Sequence, residues 1–307
     1  MTVDLSSTAS PLAFGTMQFG GGADETASRA MYDACRAAGI THFDTAYVYT
    51  DGASERLLGT FAVPERENVY IATKVNYAGG NGRASIHASL DESRKRLSMD
   101  IIDLLYLHRF DANVPLEESF ETLAALQTEG KIRHIGVSNF AAWQVMRAQA
   151  ICARLGTRID AIQPMYNLVK RQAEVELLPM CASEGISAFP YSPLGGGLLT
   201  GKYVGGGAGR ITENKMYAAR YAPDWMHAAA EALAQRAAAL GVSPATLAVA
   251  WAKATPGVTA PIISAKSTEQ LAPSLAALDY QMPPELYADI ASLSPAPPPA
   301  TDRLEEA

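Results

Sequence analysis

The sequence predicts an α/β fold, a (β/α)8 barrel, for three reasons. Eight short apolar runs typical of strands begin near residues 12, 41, 69, 101, 132, 160, 186 and 261. The first seven begin 26 to 32 residues apart, which is the length of one strand, one helix and two short connections. Helical patterns lie between the runs, and such alternation gives a parallel sheet with right-handed crossovers. Eight units favour closure of that sheet into a barrel.

The helices are predicted from apolar stripes and from the glycines that follow them. The first begins behind a possible cap at Asp24 and stops at Gly39, since glycine tolerates the left-handed conformation beyond a helix. Further stripes predict helices over 84–97, 116–129, 141–155 and 171–184.

The interval between the last two runs is much longer, at 75 residues. It contains a glycine-rich stretch at 204–209 and two alanine-rich helical patterns near 224–240 and 243–254, which together indicate a long functional loop and an extra helix. The proline-rich stretch from Pro295 cannot continue a helix, so 295–307 is predicted to be a coil tail. We expect a single domain over 1–307.

Two nucleotide-binding alternatives fail on particular residues. A doubly wound open sheet needs a glycine-rich fingerprint after its first strand, but Gly20 to Gly22 is followed by Glu25 where the third glycine belongs. The stretch from Gly196 to Tyr203 resembles a phosphate-binding P-loop, yet Tyr203 replaces the serine or threonine that binds Mg²⁺. A nucleoside triphosphatase is therefore rejected.

Composition indicates a soluble globular protein. Hydrophobic residues make up 48% of the chain and charged residues 19%, and no apolar stretch approaches the ~20 residues of a membrane span. The first ten residues lack the basic start and apolar core of a secretory signal, so we expect a cytoplasmic protein. A net charge of −7 argues against a broad nucleic-acid surface.

Neither the cysteines nor the histidines predict a metal site. Cys35, Cys152 and Cys181 fall in predicted helices without CxxC spacing, which favours buried structural thiols over a disulfide. His42 and His134 lie in or beside apolar runs without a partner at metal-ligand spacing, and we interpret both as satisfied structural histidines. A metal-dependent hydrolase would need an HxH pair, which the sequence does not contain.

Four polar residues lie at or just past the ends of three consecutive predicted strands: Asp44, Tyr49, Lys74 and His108. The carboxyl ends of barrel strands form one face, so we expect these residues to be neighbours. A nearby ammonium lowers the pKa of a phenol, and Lys74 supplies that charge if Asp44 keeps it protonated. With His108 to orient a carbonyl, the set predicts a general acid aimed at an oxygen that develops negative charge. Each residue alone has an ordinary structural explanation, but their joint order and spacing favour the site.

The motifs FDTAxxY, TK, LLYLHRFD and GKIRHIGVSNF resemble the aldo-keto reductase superfamily, from LAFGTM to SAKSTEQL. The resemblance implies a (β/α)8 barrel that reduces carbonyl groups with NADPH. Its catalytic tetrad corresponds to Asp44, Tyr49, Lys74 and His108. The nicotinamide then gives a hydride to the carbonyl carbon, and Tyr49 gives a proton to the oxygen.

The resemblance also implies contacts for the nicotinamide and the diphosphate. Ser138, Asn139 and Gln163 correspond to the residues that hydrogen-bond the carboxamide, and Tyr191 to the aromatic residue that stacks on the ring. The loop that holds the pyrophosphate corresponds to Ser192, Leu194, Gly196, Gly201 and Lys202. Arg210 and Lys215 are further candidates for phosphate contacts.

At the adenosine end, the residues implied are Ser264, Lys266, Ser267 and Gln270. Lys266 favours NADPH over NADH, because its charge suits the 2′-phosphate. The chain departs from the family where an asparagine commonly contacts adenine, since Ser274 stands there behind Pro273. We therefore expect a weaker or different adenine contact.

The expected substrate is a small aldehyde or ketone, and the expected walls of its pocket are Phe19, Tyr77, Arg109, Phe110 and Trp225. The alternative is a protein with little turnover, because some relatives are cofactor-sensing regulatory subunits of potassium channels. The sequence leaves open the physiological substrate, the direction and stereochemistry of the reaction, and the oligomeric state.

Overall fold

A computed structural model of the chain describes residues 10–75, 77–78, 80–303 and 305. Its strands form one parallel sheet and are β1 Ala13–Gly15, β2 His42–Asp44, β3 Tyr70–Lys74, β4 Ile102–Leu107, β5 Ile132–Ser138, β6 Ala161–Gln163, β7 Ser187–Ala188 and β8 Ile262–Ile263. Each strand pairs with its neighbour along the chain from β1 to β7, and β8 pairs with β1. All eight strands predicted from apolar runs are confirmed.

Backbone hydrogen bonds join the two remaining edges of the sheet. The Thr259 amide donates to the Ala188 carbonyl at 2.8 Å, and the Ile262 amide donates to the Pro190 carbonyl at 2.8 Å. These bonds bring β8 against the end of β7, so the sheet closes. The fold is the (β/α)8 barrel that the sequence predicts.

The α-helices lie outside the strands and are α1 Glu25–Ala37, α2 Ala53–Ala62, α3 Arg83–Leu97, α4 Leu116–Thr128, α5 Ala142–Arg154, α6 Leu177–Glu184, α7 Arg210–Glu213, α8 Lys215–Arg220, α9 Asp224–Ala239, α10 Pro244–Ala254, α11 Thr268–Leu275 and α12 Pro284–Ala291. Short 3₁₀ helices occupy 49–52, 63–68, 172–174 and 195–200. Asp24 caps α1 by accepting a hydrogen bond from the Ala27 amide at 2.8 Å, and Gly39 follows it with φ +80°.

One predicted helix is wrong in extent. The stretch 171–184 was expected to be continuous, but it divides into a 3₁₀ turn and α6. Pro179 explains the break, because proline lacks the N–H that a continuous helix would bond to the Val175 carbonyl. The α-helix therefore begins only two residues before the proline, where the first turn tolerates it.

The long segment between β7 and β8 contains more structure than predicted. The two alanine-rich helices are confirmed as α9 and α10, but α7 and α8 precede them. Asn214 caps α8 by accepting hydrogen bonds from the Met216 and Tyr217 amides. Residues 295–303 contain no helix or strand, as expected for a coil tail.

The core has two parts. One lies inside the barrel and contains Ala13, Ala72, Leu104, Tyr106, Ala161, Phe189, Ala260 and Ile262. The other, larger part lies between the strands and the helices. No single helix in the described ranges is long and apolar enough to cross a membrane; α9 and α10 meet that criterion only when taken together across a 102° bend.

The structural predictions for cysteine are confirmed, and those for histidine are half confirmed. All three cysteines are free and buried, and burial raises the pKa of each thiol. His134 has a partner, with its Nδ1 3.4 Å from an Asp160 carboxylate oxygen. His42 is buried, but neither ring nitrogen has a hydrogen-bond partner among the described residues. It lies edge-on to Tyr70 and Phe189 inside the barrel, so it is structural but not satisfied.

Candidate active site

The four residues predicted as a tetrad lie together at the strand ends: Asp44, Tyr49, Lys74 and His108. Asp44 is the last residue of β2, Lys74 is the last residue of β3, and His108 directly follows β4. Tyr49 begins the 3₁₀ turn that follows β2. Because neighbouring parallel strands end on the same face, all four lie at the carboxyl end of the barrel.

A buried ion pair forms the centre of this group. The Lys74 ammonium donates to the Asp44 carboxylate, and also to the Thr45 carbonyl at 2.7 Å. The other carboxylate oxygen accepts a hydrogen bond from the Gln163 amide at 2.8 Å. Lys74 and Asp44 are 1% and 3% exposed, so each charge needs these partners.

The ammonium also lies against the tyrosine, with its nitrogen 5.0 Å from the centre of the Tyr49 ring. Burial opposes the charged form of Lys74, but the interactions of the ammonium with Asp44 and then with Tyr49 outweigh this effect and raise its pKa. Lys74 is therefore a cation at neutral pH. Its carboxylate partner has the role expected from the sequence.

The net pKa shift of Tyr49 has the opposite sign from the one expected. Burial raises its pKa above the usual 10.0, and the positive charge of Lys74 opposes this shift without reversing it. Desolvation disfavours a phenolate more strongly here than the neighbouring charge favours it. The hydroxyl consequently stays protonated at neutral pH, as a proton donor must.

His108 is held as a neutral imidazole. Burial, with the charges of Lys74 and then Arg109 adding to it, lowers the pKa of His108 to about 3 against a weaker opposing hydrogen bond. Its ring is edge-on to Tyr49, with centres 5.9 Å apart, and edge-on to Tyr77 at 5.0 Å. It therefore lies close enough to Tyr49 to orient the same polar group.

A second group of predicted residues surrounds the tetrad. The Ser138 hydroxyl donates to the Gln163 carbonyl at 2.9 Å, and the Asn139 amide donates to the His108 carbonyl at 3.0 Å. The Tyr191 hydroxyl donates to the Asn139 amide oxygen at 2.7 Å. Since Gln163 also bonds Asp44, the residues expected to hold nicotinamide are linked directly to the tetrad.

Several residues of the loop after β7, which was predicted to hold the pyrophosphate, have a left-handed backbone. Gly196 and Gly201 have φ of +65° and +78°, a region open to glycine but costly for other residues. Ser192 is also left-handed, and its carbonyl accepts a hydrogen bond from the Asn167 amide at 2.9 Å. Leu194 accepts from the Gly197 amide inside the turn. Lys202 is exposed at the end of this loop.

The residues predicted for the adenosine end lie at the start of α11. Ser267 caps this helix, and the Gln270 side chain accepts a hydrogen bond from the Lys266 amide at 3.3 Å. The Lys266 side chain is exposed, and its stem lies against Gly22, where an added Cβ would be 3.1 Å from Cε. The positive end of the helix dipole and this ammonium make the location suitable for an anion.

The departure at Ser274 becomes clearer in the structure. Ser274 is 1% exposed, and its hydroxyl is buried without a hydrogen-bond partner in the described part of the chain. It faces the interior from α11 and cannot contact a base on the surface.

Phe19 was expected to line the substrate pocket, but the structure does not place it there. It is fully buried in the core, with its ring against Phe14 and Phe61, because it packs behind β1 instead of facing the barrel mouth. Tyr77 lies beside His108, and the Arg109 guanidinium is 4.5 Å from the Tyr77 ring centre.

Two residues on the rim of the barrel remain exposed in part. Phe110 packs edge-on against Phe140 and Trp143, and Trp225, on α9, is 40% exposed.

Sequence analysis did not predict that two residues of α8, Tyr217 and Arg220, lie close to the glycine-rich loop. The Tyr217 ring covers Gly196, where an added Cβ would lie 2.8 Å from Cδ1. The guanidinium groups of Arg210 and Arg220 lie 5.5 and 5.2 Å from the centre of the same ring. Lys215 is exposed on this helix. Nothing in the local sequence links α8 to Gly196, since the contact depends on how the long segment folds back.

Comparisons with known proteins agree with this geometry. The family model described as "Aldo/keto reductase family" matches residues 11–295. A rat protein, aflatoxin B1 aldehyde reductase member 2, is 39% identical over 195 residues, which cover 62% of this chain and only 53% of the rat protein. The uncharacterized oxidoreductase YrpG of Bacillus subtilis is 32% identical over 307 residues, covering 94% of this chain and 93% of its own.

A third relative has a different kind of name. The probable voltage-gated potassium channel subunit beta of rice, Oryza sativa subsp. japonica, is 32% identical over 314 residues, covering 95% of each chain. The family match extends over all eight strands and the strand ends described above. The chain therefore belongs to the aldo/keto reductase family.

Proposed function

We propose that this chain is an oxidoreductase that reduces the carbonyl group of a small aldehyde or ketone with NADPH, with Tyr49 as the general acid. One observation carries the proposal. A buried, paired ammonium, Lys74, lies 5.0 Å from the ring of a tyrosine that stays protonated. This is the arrangement needed to deliver a proton and to stabilise the phenolate left behind.

The residues around the site fit a dinucleotide phosphate. Lys202 and Lys266 form no ion pair with any described carboxylate, and Ser264 has a buried hydroxyl oxygen without a partner in the same part of the chain. The glycines of the 192–202 loop have positive φ, a backbone shape that can present N–H groups to phosphate oxygens. When bound, the nicotinamide supplies a hydride to the carbonyl carbon.

The proton that the carbonyl oxygen needs would come from the chain's own residues. The Tyr49 hydroxyl donates its proton to the carbonyl oxygen as charge develops there. Lys74 stabilises the resulting phenolate, and Asp44 keeps Lys74 charged. The neutral His108 is available to hydrogen-bond the carbonyl oxygen and so orient it. Positioned acid catalysis of this kind contributes roughly 10²- to 10⁴-fold in rate.

The variant Tyr49→Phe tests this assignment. It removes the proton donor and leaves the ring, so we expect kcat to fall about 10²- to 10⁴-fold while NADPH affinity is retained. The measurement is NADPH oxidation over a panel of aldehydes, sugars and ketones, with NADPH binding followed by fluorescence. Tyr32→Phe is the matched control, because that hydroxyl bonds Glu65 behind the barrel. Wild-type rates for Tyr49→Phe would contradict the mechanism.

The preference for NADPH depends on Lys266. Reversing its charge in Lys266→Glu should weaken NADPH binding by about 10- to 100-fold and leave NADH binding unchanged, because only NADPH carries the 2′-phosphate. Lys95→Glu, on the exposed face of α3, controls for a general change in charge. Equal effects on the two cofactors would show that Lys266 does not contact the 2′-phosphate.

A second function is favoured by one specific observation. Similarity to proteins named probable voltage-gated potassium channel subunit beta covers 95% of this chain for rice and 88% for Arabidopsis thaliana. A cofactor-sensing subunit would bind NADPH but release it or its product very slowly. Sustained turnover at saturating NADPH supports the reductase, whereas tight binding with at most a single turnover on every substrate supports the regulatory subunit.

A further inference from the structure

The segment that carries Tyr49 has an unfavourable backbone. Thr50 and Asp51 have φ of +48° and +51°, in the left-handed region. A positive φ is a genuine outlier for a β-branched residue such as threonine, and it persists only where the surroundings impose it. Something outside this segment must therefore hold residues 47–52 in place.

Arg96, on the neighbouring helix α3, contacts both ends of this segment. Its guanidinium donates to the Tyr47 carbonyl at 2.8 Å and lies 4.6 Å from the centre of the Tyr47 ring. At the other end it lies against Gly52, where an added Cβ would be 2.6 Å from the guanidinium carbon. Arg96 thus contacts the segment at both Tyr47 and Gly52.

Glu55 connects this support to the strand that carries Lys74. Its carboxylate is completely buried and accepts hydrogen bonds from Arg96 at 3.1 Å and from the Thr73 hydroxyl at 2.7 Å. Thr73 immediately precedes Lys74 at the end of β3. A buried charge pair of this kind is expensive to desolvate and is weak evidence of stability alone. Its contacts connect the two catalytic segments directly.

We propose that Glu55 and Arg96 are positioning residues, which together fix the Tyr49 hydroxyl relative to the Lys74 ammonium. The proposal rests on the role of Tyr49 given above. Glu55 is fully buried, and both residues act through their contacts with Tyr47, Thr73 and the strained turn. The rigid guanidinium is suited to this, since it holds a carbonyl, the Glu55 carboxylate and the Glu92 carboxylate at once.

The test compares two arginines that make similar contacts. Arg66 pairs with the buried Asp103 and donates to the Val69 carbonyl, but it lies at the amino-terminal end of β3, away from Tyr49. Arg66→Met should lower thermal stability and leave kcat unchanged. Arg96→Met should lower kcat about 10²-fold, as expected for a catalytic group displaced by ~1 Å, with NADPH affinity unchanged. The isosteric Glu55→Gln keeps an acceptor for Thr73 and should give a smaller loss of kcat.

A double-mutant cycle separates positioning from general damage. If Arg96 acts only through Tyr49, Arg96→Met should cost no further activity in a Tyr49→Phe background. A full additional loss there, or a kcat for both Arg96→Met and Glu55→Gln no lower than that of Arg66→Met, overturns the inference alone. Wild-type activity of Tyr49→Phe itself overturns the proposed function, and the inference with it.

Discussion

Burial and the charges of neighbouring residues together set the protonation states of Lys74, Tyr49 and His108. Lys74 is a cation inside the barrel because Asp44 lies beside it, and His108 is neutral because burial and the charge of Lys74 lower its pKa. The hydroxyl of Tyr49 stays protonated because burial outweighs the effect of Lys74. The sequence identified these residues as a set, but it gave the wrong sign for the tyrosine because desolvation cannot be seen in spacing.

The two buried histidines make stability depend on pH. Burial, with the charge of Lys74 adding to it, lowers the pKa of His42 to about 3, as it does for His108. The folded state therefore disfavours the proton, so stability is complete above the unfolded pKa of ~6.5 and is lost as pH falls toward 3. Each histidine contributes up to about 1.4 kcal/mol per pH unit in that range.

Urea unfolding at about pH 7, 5 and 4 measures this slope. We expect His42→Gln to flatten it by the share of one histidine, because the variant cannot take up the proton in the unfolded state. His87→Gln on α3 controls for the loss of one histidine from the chain. An unchanged slope in His42→Gln would show that the buried imidazole is not the source.

At the scale of elements, α2 and α3 approach each other through one glycine. A Cβ at Gly59 would lie 2.5 Å from the Leu97 carbonyl oxygen and 2.7 Å from its carbon. These are backbone atoms, so they cannot rotate aside as a side chain would. The close approach also fixes Arg96, which precedes Leu97 on α3.

Gly59→Ala should therefore be destabilising, although alanine is the better helix former. The intrinsic gain of up to about 1 kcal/mol is outweighed by overpacking, which costs roughly 1–3 kcal/mol. Displacement of α3 should also lower kcat, through Arg96. Chemical denaturation and NADPH oxidation check both effects. Gly130→Ala is the comparison, since nothing lies within 4 Å of its Cβ position and only its φ of +72° is strained. If Gly59→Ala were as stable as the wild-type protein or more stable, the expectation would be wrong.

The strands and most helices could be predicted because their signals are local. Apolar runs marked all eight strands, and glycines such as Gly39 marked helix ends. The break within 171–184 also has a local cause, since Pro179 interrupts an otherwise apolar stripe. The short helices α7 and α8 had no such signal. They follow the glycine-rich stretch 204–209, and α8 is placed by contacts such as that of Tyr217 with Gly196.

At the scale of the whole molecule, closure of the barrel depends on the junction between β7 and β8. Thr259 makes a reciprocal contact there: its amide donates to the Ala188 carbonyl, and its hydroxyl accepts from the Ala188 amide at 3.0 Å. β7 and β8 are each only two residues long, so few other bonds connect them.

Thr259→Val should destabilise the protein by about 1–3 kcal/mol, because it leaves the Ala188 amide without its acceptor. The measurement is the free energy of unfolding in urea. Thr128→Val is the control, since that exposed hydroxyl donates to the Ala124 carbonyl of its own helix. Hydrogen exchange should show faster exchange at Ala188 in the variant. A loss no larger than in the control would mean that the side chain does not support closure.

The sequence by itself determined the repeat of eight strands and helices, the strand ends at which Asp44, Lys74 and His108 lie, and the family to which the chain belongs. These properties are encoded in local hydrophobic periodicity and in short motifs, which can be recognised without coordinates. The tertiary structure decided the sign of the Tyr49 pKa shift, the interior position of Ser274, and the connection from Arg96 through Glu55 to Thr73. Each of these depends on burial or on contacts between residues far apart in the chain, and neither is specified by spacing.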